Sequence, residues 1–223
     1  MTAYVRPGGR LEREASRRGT SVYVPGAVEP MLPEVLSTGA CSLRPGEDKL
    51  AVSVEMEMNG ADVTSVSFHR SLVRSDRRLT YGEVDELFAG RARPEEPWGE
   101  PLVIARELAA GLRERRDALE FGSYEPTFDF DADGDVTGVR YEEQTESHSL
   151  IEMLMVLANE QVAGYLADRR LPTLYRVHER PEPQAVTFLA EQLASLDIPT
   201  PPLPKQMTPQ QAADAVTEIS RIV

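Results

Sequence analysis

The stretch Arg17–Leu43, RRGTSVYVPGAVEPMLPEVLSTGACSL, decides how the rest of the chain is read. Pro25, Gly26, Pro30 and Pro33 forbid a continuous helix and limit strand pairing, because proline lacks an N–H donor and fixes φ. The spacing therefore predicts a shaped loop. It holds Tyr23 and Met31 on a restrained backbone with few conformers to lose on binding, which suits a surface that grips something extended.

Outward from this loop, the 223 residues have the composition of one globular domain, 41% hydrophobic and 27% charged, with length enough for a sizeable core. No segment reads as long or apolar enough to span a membrane. The start, MTAYVRPGG, has no apolar leader core, which makes the cytoplasm the expected compartment. The single cysteine, Cys41, excludes an internal disulfide and a multi-cysteine zinc site. A net charge of −13 weighs against a free-standing nucleic-acid binder, since phosphate affinity comes largely from Lys and Arg. The charge is uneven, however. Arg6, Arg10, Arg13, Arg17 and Arg18 form one basic cluster, and Arg70, Arg74, Arg77 and Arg78 another; on composition alone each is a solvated face.

Tyr4 and Val5 read as the tail of a strand, and Leu11–Arg18 as a short charged helix ended by Gly19. Ala51–Met58 and Ser65–Val73 alternate at strand period around Asn59-Gly60 and predict a hairpin. Thr80 and Glu83 form a capping box for a helix over Tyr81–Phe88. A linker over Ala89–Pro101 leads to a helix over Leu102–Leu119, and Phe121–Glu143 returns to strand character around Asp133-Gly134. Ser149–Ala167 is the most apolar helix and predicts burial on most sides. Two helices follow, near Pro183–Leu196 and Pro209–Val223, the second capped by Thr208 and Gln211 and separated from the first by the Ile198–Pro204 linker.

Asp129, Asp131, Asp133, Gly134 and Asp135 have the spacing that opens a calcium loop, but the twelfth position, which needs a bidentate carboxylate, is Arg140. A hairpin turn is the better reading. His148, Glu152 and Asn159 share one helical stripe, as a satisfied polar network or as part of a site. Tyr23, Tyr81 and Phe128 are core rings or stacking surfaces. With three histidines and no paired Ser or Cys motif, no nucleophile triad is legible.

Gly19-Thr20-Ser21-Val22-Tyr23-Val24-Pro25, Pro30-Met31-Leu32-Pro33-Glu34, Leu36-Ser37 and Cys41-Ser42-Leu43 resemble the RNB catalytic domain of the ribonuclease II and ribonuclease R family. The resemblance continues through Arg70–Ser75, Leu79-Thr80-Tyr81, Leu150-Ile151-Glu152, Leu157-Ala158-Asn159 and Leu174–Glu179, blocks in family order from residue 4 to 179. It implies an α/β fold, a mixed β-sheet with packed helices, with residues 1–223 a partial RNB domain and 180–223 a helical continuation. It also implies 3′ to 5′ hydrolysis of single-stranded RNA to 5′-monophosphates, with magnesium as cofactor. Tyr23 matches a position that helps hold the terminal nucleotides and Tyr81 one close to the cleavage point, Phe128 matches less securely, Glu152 and Asn159 match positions lining the RNA channel near the scissile end, and Arg176 and His178 belong to a Y-R-V-H block in which Arg176 is the phosphate candidate. The resemblance is silent on His148.

The family's metal-binding aspartates are expected upstream of Met1, which reads as an internal start following a strand that ends A-D-V, and its T-S-P-I-R-R-Y block beyond Val223. No metal ligand is therefore assigned in this chain, and none of its residues is named catalytic. The partners expected are single-stranded RNA and the missing segments, with no membrane. The alternative is a non-catalytic remnant or interaction module derived from the RNB domain.

Overall fold

A computed structural model describes residues 1–95, 97–116, 124–177 and 179–222. Its elements are α1 (Arg10–Arg18), β1 (Val22–Val24), β2 (Ala27–Glu29), a wide π-type turn (Val35–Ala40), β3 (Asp48–Asn59), β4 (Asp62–Arg74), α2 (Tyr81–Phe88), α3 (Gly99–Arg115), β5 (Tyr124–Phe130), β6 (Val136–Glu143), α4 (Glu146–Asp168), α5 (Pro183–Ser195) and α6 (Pro209–Ser220). The α/β class stands. Its strands form three separate antiparallel ribbons, β1-β2, β3-β4 and β5-β6, where one mixed sheet was expected. Each ribbon joins neighbours in sequence, so only short turns close them.

The two longer ribbons share a device. Thr64 in β4 and Thr137 in β6 are the extra residues of one-residue bulges, and their hydroxyls donate to the opposing carbonyls of Glu57 at 3.0 Å and Asp129 at 3.2 Å. A bulge bends and twists its ribbon. In β3-β4 it lies at the tip, where Met56, Met58, Ala61 and Val63 pack on the helices.

Arg17–Leu43 is more ordered than the loop its prolines predict. Pro25-Gly26 turns a ribbon of three-residue strands, with Gly26 at φ 78°, a conformation that glycine adopts without steric cost. After Pro33, the Cys41 N–H donates five residues back to the Leu36 carbonyl at 2.9 Å, the signature of a π turn. Tyr4 and Val5 are not a strand tail: their N–H groups both donate to the Met1 carbonyl in a turn. The Asp129–Asp135 segment is the hairpin turn expected, with Asp131 Oδ1 accepting from the Asp133 and Asp135 N–H groups and Arg140 paired with Asp129 through two hydrogen bonds.

Two apolar clusters hold the helices. Ala109 and Leu112 of α3 meet Leu150, Met153 and Leu157 of α4, with the β3-β4 tip, Phe88 and Leu102 against them. Val186 and Leu193 of α5 meet Ala212, Ala215 and Ile219 of α6, sealed by Ile198, Leu203 and Met207 of the intervening linker. The expectation for α4 is corrected in two respects. Only the stripe Ser147, Leu150, Met153 and Leu157 is buried, because α2 and α3 cover one side, while Ile151, Met155 and Val162 face solvent. By length and composition, moreover, α4 is apolar enough to cross a membrane, contrary to the sequence reading.

Candidate functional site

The junction of α2 with the start of α4 brings the richest set of site-forming groups together. Thr80 caps α2, its hydroxyl accepting from the Glu83 N–H while the Glu83 carboxylate takes the Thr80 N–H at 2.7 Å. This places Tyr81 at the first helical position. A cavity of about 470 Å³ lies beside it, lined by Leu79, Val84, Leu102, Leu150 and Ile151, with Arg78 and Ser147 as polar members. Arg78 makes no ion pair among the described residues, which leaves its guanidinium available for an anionic ligand.

Asp85, one turn along α2, accepts from the Ser147 N–H at 3.2 Å. Burial pushes its pKa up, but hydrogen bonds from Thr145 and Ser147 outweigh this and hold the carboxyl below its ordinary value. Arg106 of α3 completes the junction: it forks onto Glu146 at 2.6 and 2.7 Å, donates to the Phe88 carbonyl at 3.2 Å and lies over the Phe88 ring. The Arg106 hydrogen bonds hold Glu146 below its ordinary pKa.

The sequence candidates distribute unevenly. Tyr81 is 46% exposed and lines the cavity. Glu152 and Asn159 are exposed on α4, so the polar-core reading of that stripe is overturned; its apolar neighbours face solvent with them. Tyr23, 77% exposed on β1, is excluded from the core. Phe128, paired with Val139 across the β5-β6 ribbon, is partly exposed, and Arg176 is exposed in a segment without regular secondary structure. His178 lies outside the described residues.

Four of the nine arginines in the two basic clusters pair with carboxylates. Arg17 and Arg18 converge on Glu14, whose pKa falls to about 2 through those hydrogen bonds. Arg18 also reaches Glu29 and the Pro30 carbonyl, Arg74 pairs with Asp48, and Arg77 with Glu95. The solvated-face reading holds for these. Among the described residues no three His, Cys, Asp or Glu side chains converge on a point that could hold a metal ion.

Sequence reasoning passed over His148, Ser147, Asp85 and Arg78 as a group. Thr145 followed three residues later by His148 was the legible signal: the Thr145 N–H donates to His148 Nδ1 at 3.2 Å, the part that Glu83 plays in α2.

The ribbons and helices leave Tyr23, Tyr81 and Arg176 exposed. The RNB domain model matches residues 1–222, and the chain belongs to the RNB domain family. Ribonuclease R of Escherichia coli is 37% identical over 209 residues, which cover 90% of this chain and 26% of that protein. Ribonuclease R of Thermotoga maritima is 37% identical over 205 residues, covering 89% and 29%. The structure of Mycoplasma genitalium RNase R in complex with ribose-methylated single-stranded RNA superposes with a TM-score of 0.88 at 26% identity, over 99% of this chain and 36% of that one. The chain thus spans between 26% and 36% of these relatives' lengths.

Proposed function

We propose that these residues form an RNA-holding part of a 3′ to 5′ exoribonuclease of the RNase R type, which degrades single-stranded RNA to 5′-monophosphates. The observation that carries the reading is the match of almost the whole chain to an RNase R structure that contains single-stranded RNA. The exposure of Tyr23, Tyr81, Glu152, Asn159 and Arg176 supports it, because side chains meant for a ligand must be reachable. Stacking on exposed tyrosines is tolerant of sequence, as a degradative enzyme requires, since every base offers a π face. Magnesium-binding aspartates are contributed, in this reading, by segments outside these residues, and the compartment is the cytoplasm.

The test is a labelled single-stranded RNA incubated with magnesium and either the 223-residue chain or the same chain joined to family-type upstream and downstream segments. The joined protein is expected to release mononucleotides and the chain alone to release none. An inactive joined protein that still folds would favour the non-catalytic module, a reading to which the net charge of −13 and the neutralised arginines lend weight for the isolated chain. Mononucleotide release by the chain alone, abolished by chelator, would overturn the division of labour.

A further inference from the structure

Tyr81 is held at two points by consecutive residues of α4. Ser147, only 2% exposed, donates from Oγ to the Tyr81 carbonyl at 3.2 Å and fixes its backbone. His148 stacks on the phenol ring, with centroids 3.7 Å apart and planes inclined by 22°. The imidazole is itself held: Nδ1 accepts from the Thr145 N–H at 3.2 Å and lies 2.9 Å from the Thr145 hydroxyl. One face of Tyr81 is therefore occupied by a side chain that has surrendered its own rotational freedom to the α4 cap. The ring remains 46% exposed beside the cavity that Arg78 lines.

We infer that His148 is a positioning residue for Tyr81, holding the ring by one face so that its other face serves as a fixed stacking surface for one base of single-stranded RNA. This rests on the proposed function above. A ligand that meets an already ordered ring does not have to offset the ordering of that ring on binding. The arrangement also demands a protonation state. Nδ1 can accept from the Thr145 N–H only while it carries no proton, so the bond uses the tautomer with its proton on Nε2.

The experiment is NMR on the full 223-residue chain, following the Tyr81 ring protons, which lie in the ring current of His148. His148→Ala is expected to shift them downfield, as is His148→Gln, which keeps a hydrogen-bond acceptor without a ring. His148→Phe, which keeps the ring without the cap, is expected to leave them near their wild-type positions. Tyr81 signals indifferent to His148→Ala, or displaced as far in His148→Phe as in His148→Ala, would overturn the inference.

A second arm titrates a short oligoadenylate, without magnesium, into the same variants of the joined protein. Tyr81→Ala and His148→Ala should each weaken binding by about fivefold, the low end of a stacking contribution, and His148→Phe should restore most of it. No binding by the wild type would sink the RNA reading while the ring signals still decide whether His148 positions Tyr81. Equal binding by wild type and His148→Ala would show that positioning does not serve RNA.

Discussion

The two helical clusters enclose similar side chains to different degrees. In the α5–α6 cluster Val186 and Ala212 are 1% and 0% exposed, and every member comes from residues 186–219. The α3–α4 cluster is built on longer helices, yet one flank of α4 stays open, with Ile151, Met155 and Val162 beside Glu152 and Asn159. The residues proposed to meet RNA lie on α4, on the β1-β2 ribbon, at the start of α2 and in the segment after α4, and none on α5 or α6. Closure gives stability from the cluster's own residues, whereas openness leaves side chains within reach of a ligand.

The comparison breaks most visibly in the cores. Leu157→Ala and Ile219→Ala should each cost about 2–5 kcal/mol, the range for truncating a buried large aliphatic side chain. Hydrogen exchange during denaturant titration is expected to show the first loosening α3 and α4 amides and the second loosening α5 and α6 amides. Uniform loosening by both would mean that the clusters are one cooperative unit.

RNA affinity sharpens the contrast at the next size. In the protein joined to its family-type segments, Tyr23→Ala should lose about 1–3 kcal/mol of binding to short RNA. Its melting temperature should stay nearly unaltered, because the ring is already in solvent. Earlier unfolding with normal binding would return Tyr23 to a structural role.

The pair Arg106–Glu146 spans the open cluster, and its effect depends on pH. Glu146 has a folded pKa below its ordinary 4.5, held there by the hydrogen bonds from Arg106, so the stabilisation is complete above 4.5 and is lost as pH falls through the folded value. Both groups are partly exposed, which keeps the effect under about 1 kcal/mol. Melting curves between neutral pH and pH 3 should therefore fall less steeply for Glu146→Gln than for the wild type. Smallest of all, Met155→Ser should stay within about 0.5 kcal/mol of wild-type stability, as expected for a surface substitution. A larger loss in chemical denaturation would mean that the open flank of α4 is covered.

What the sequence made legible was local chemistry. The boxes Thr80/Glu83 and Thr208/Gln211 form as their spacing predicts, and the β3-β4 hairpin turns beside Asn59-Gly60. The third box escaped because His148 stands where the pattern expects Glu or Gln. The β1-β2 ribbon escaped because three residues per strand are too few to show a period. The burial of α4 was overestimated for a different reason: apolar composition reports what a helix can bury, not how many neighbours it has. Of the candidate site, Tyr81 was visible as a residue, but the His148 ring against its face is a long-range contact that no local pattern encodes.

The π turn after Pro33 carries a chemical consequence of its own. Lys49, one of only two lysines in the chain, is buried, and its Nζ donates to the Gly39 carbonyl at the end of that turn and to Glu47. The other, Lys205, is exposed. An acylating reagent applied to the native protein should therefore modify Lys205 and the terminal amine promptly and Lys49 late. Peptide mass mapping of Lys49 acylation then becomes a clock for the opening of the turn that closes the Tyr23-bearing segment, readable without any ligand or spectroscopic label.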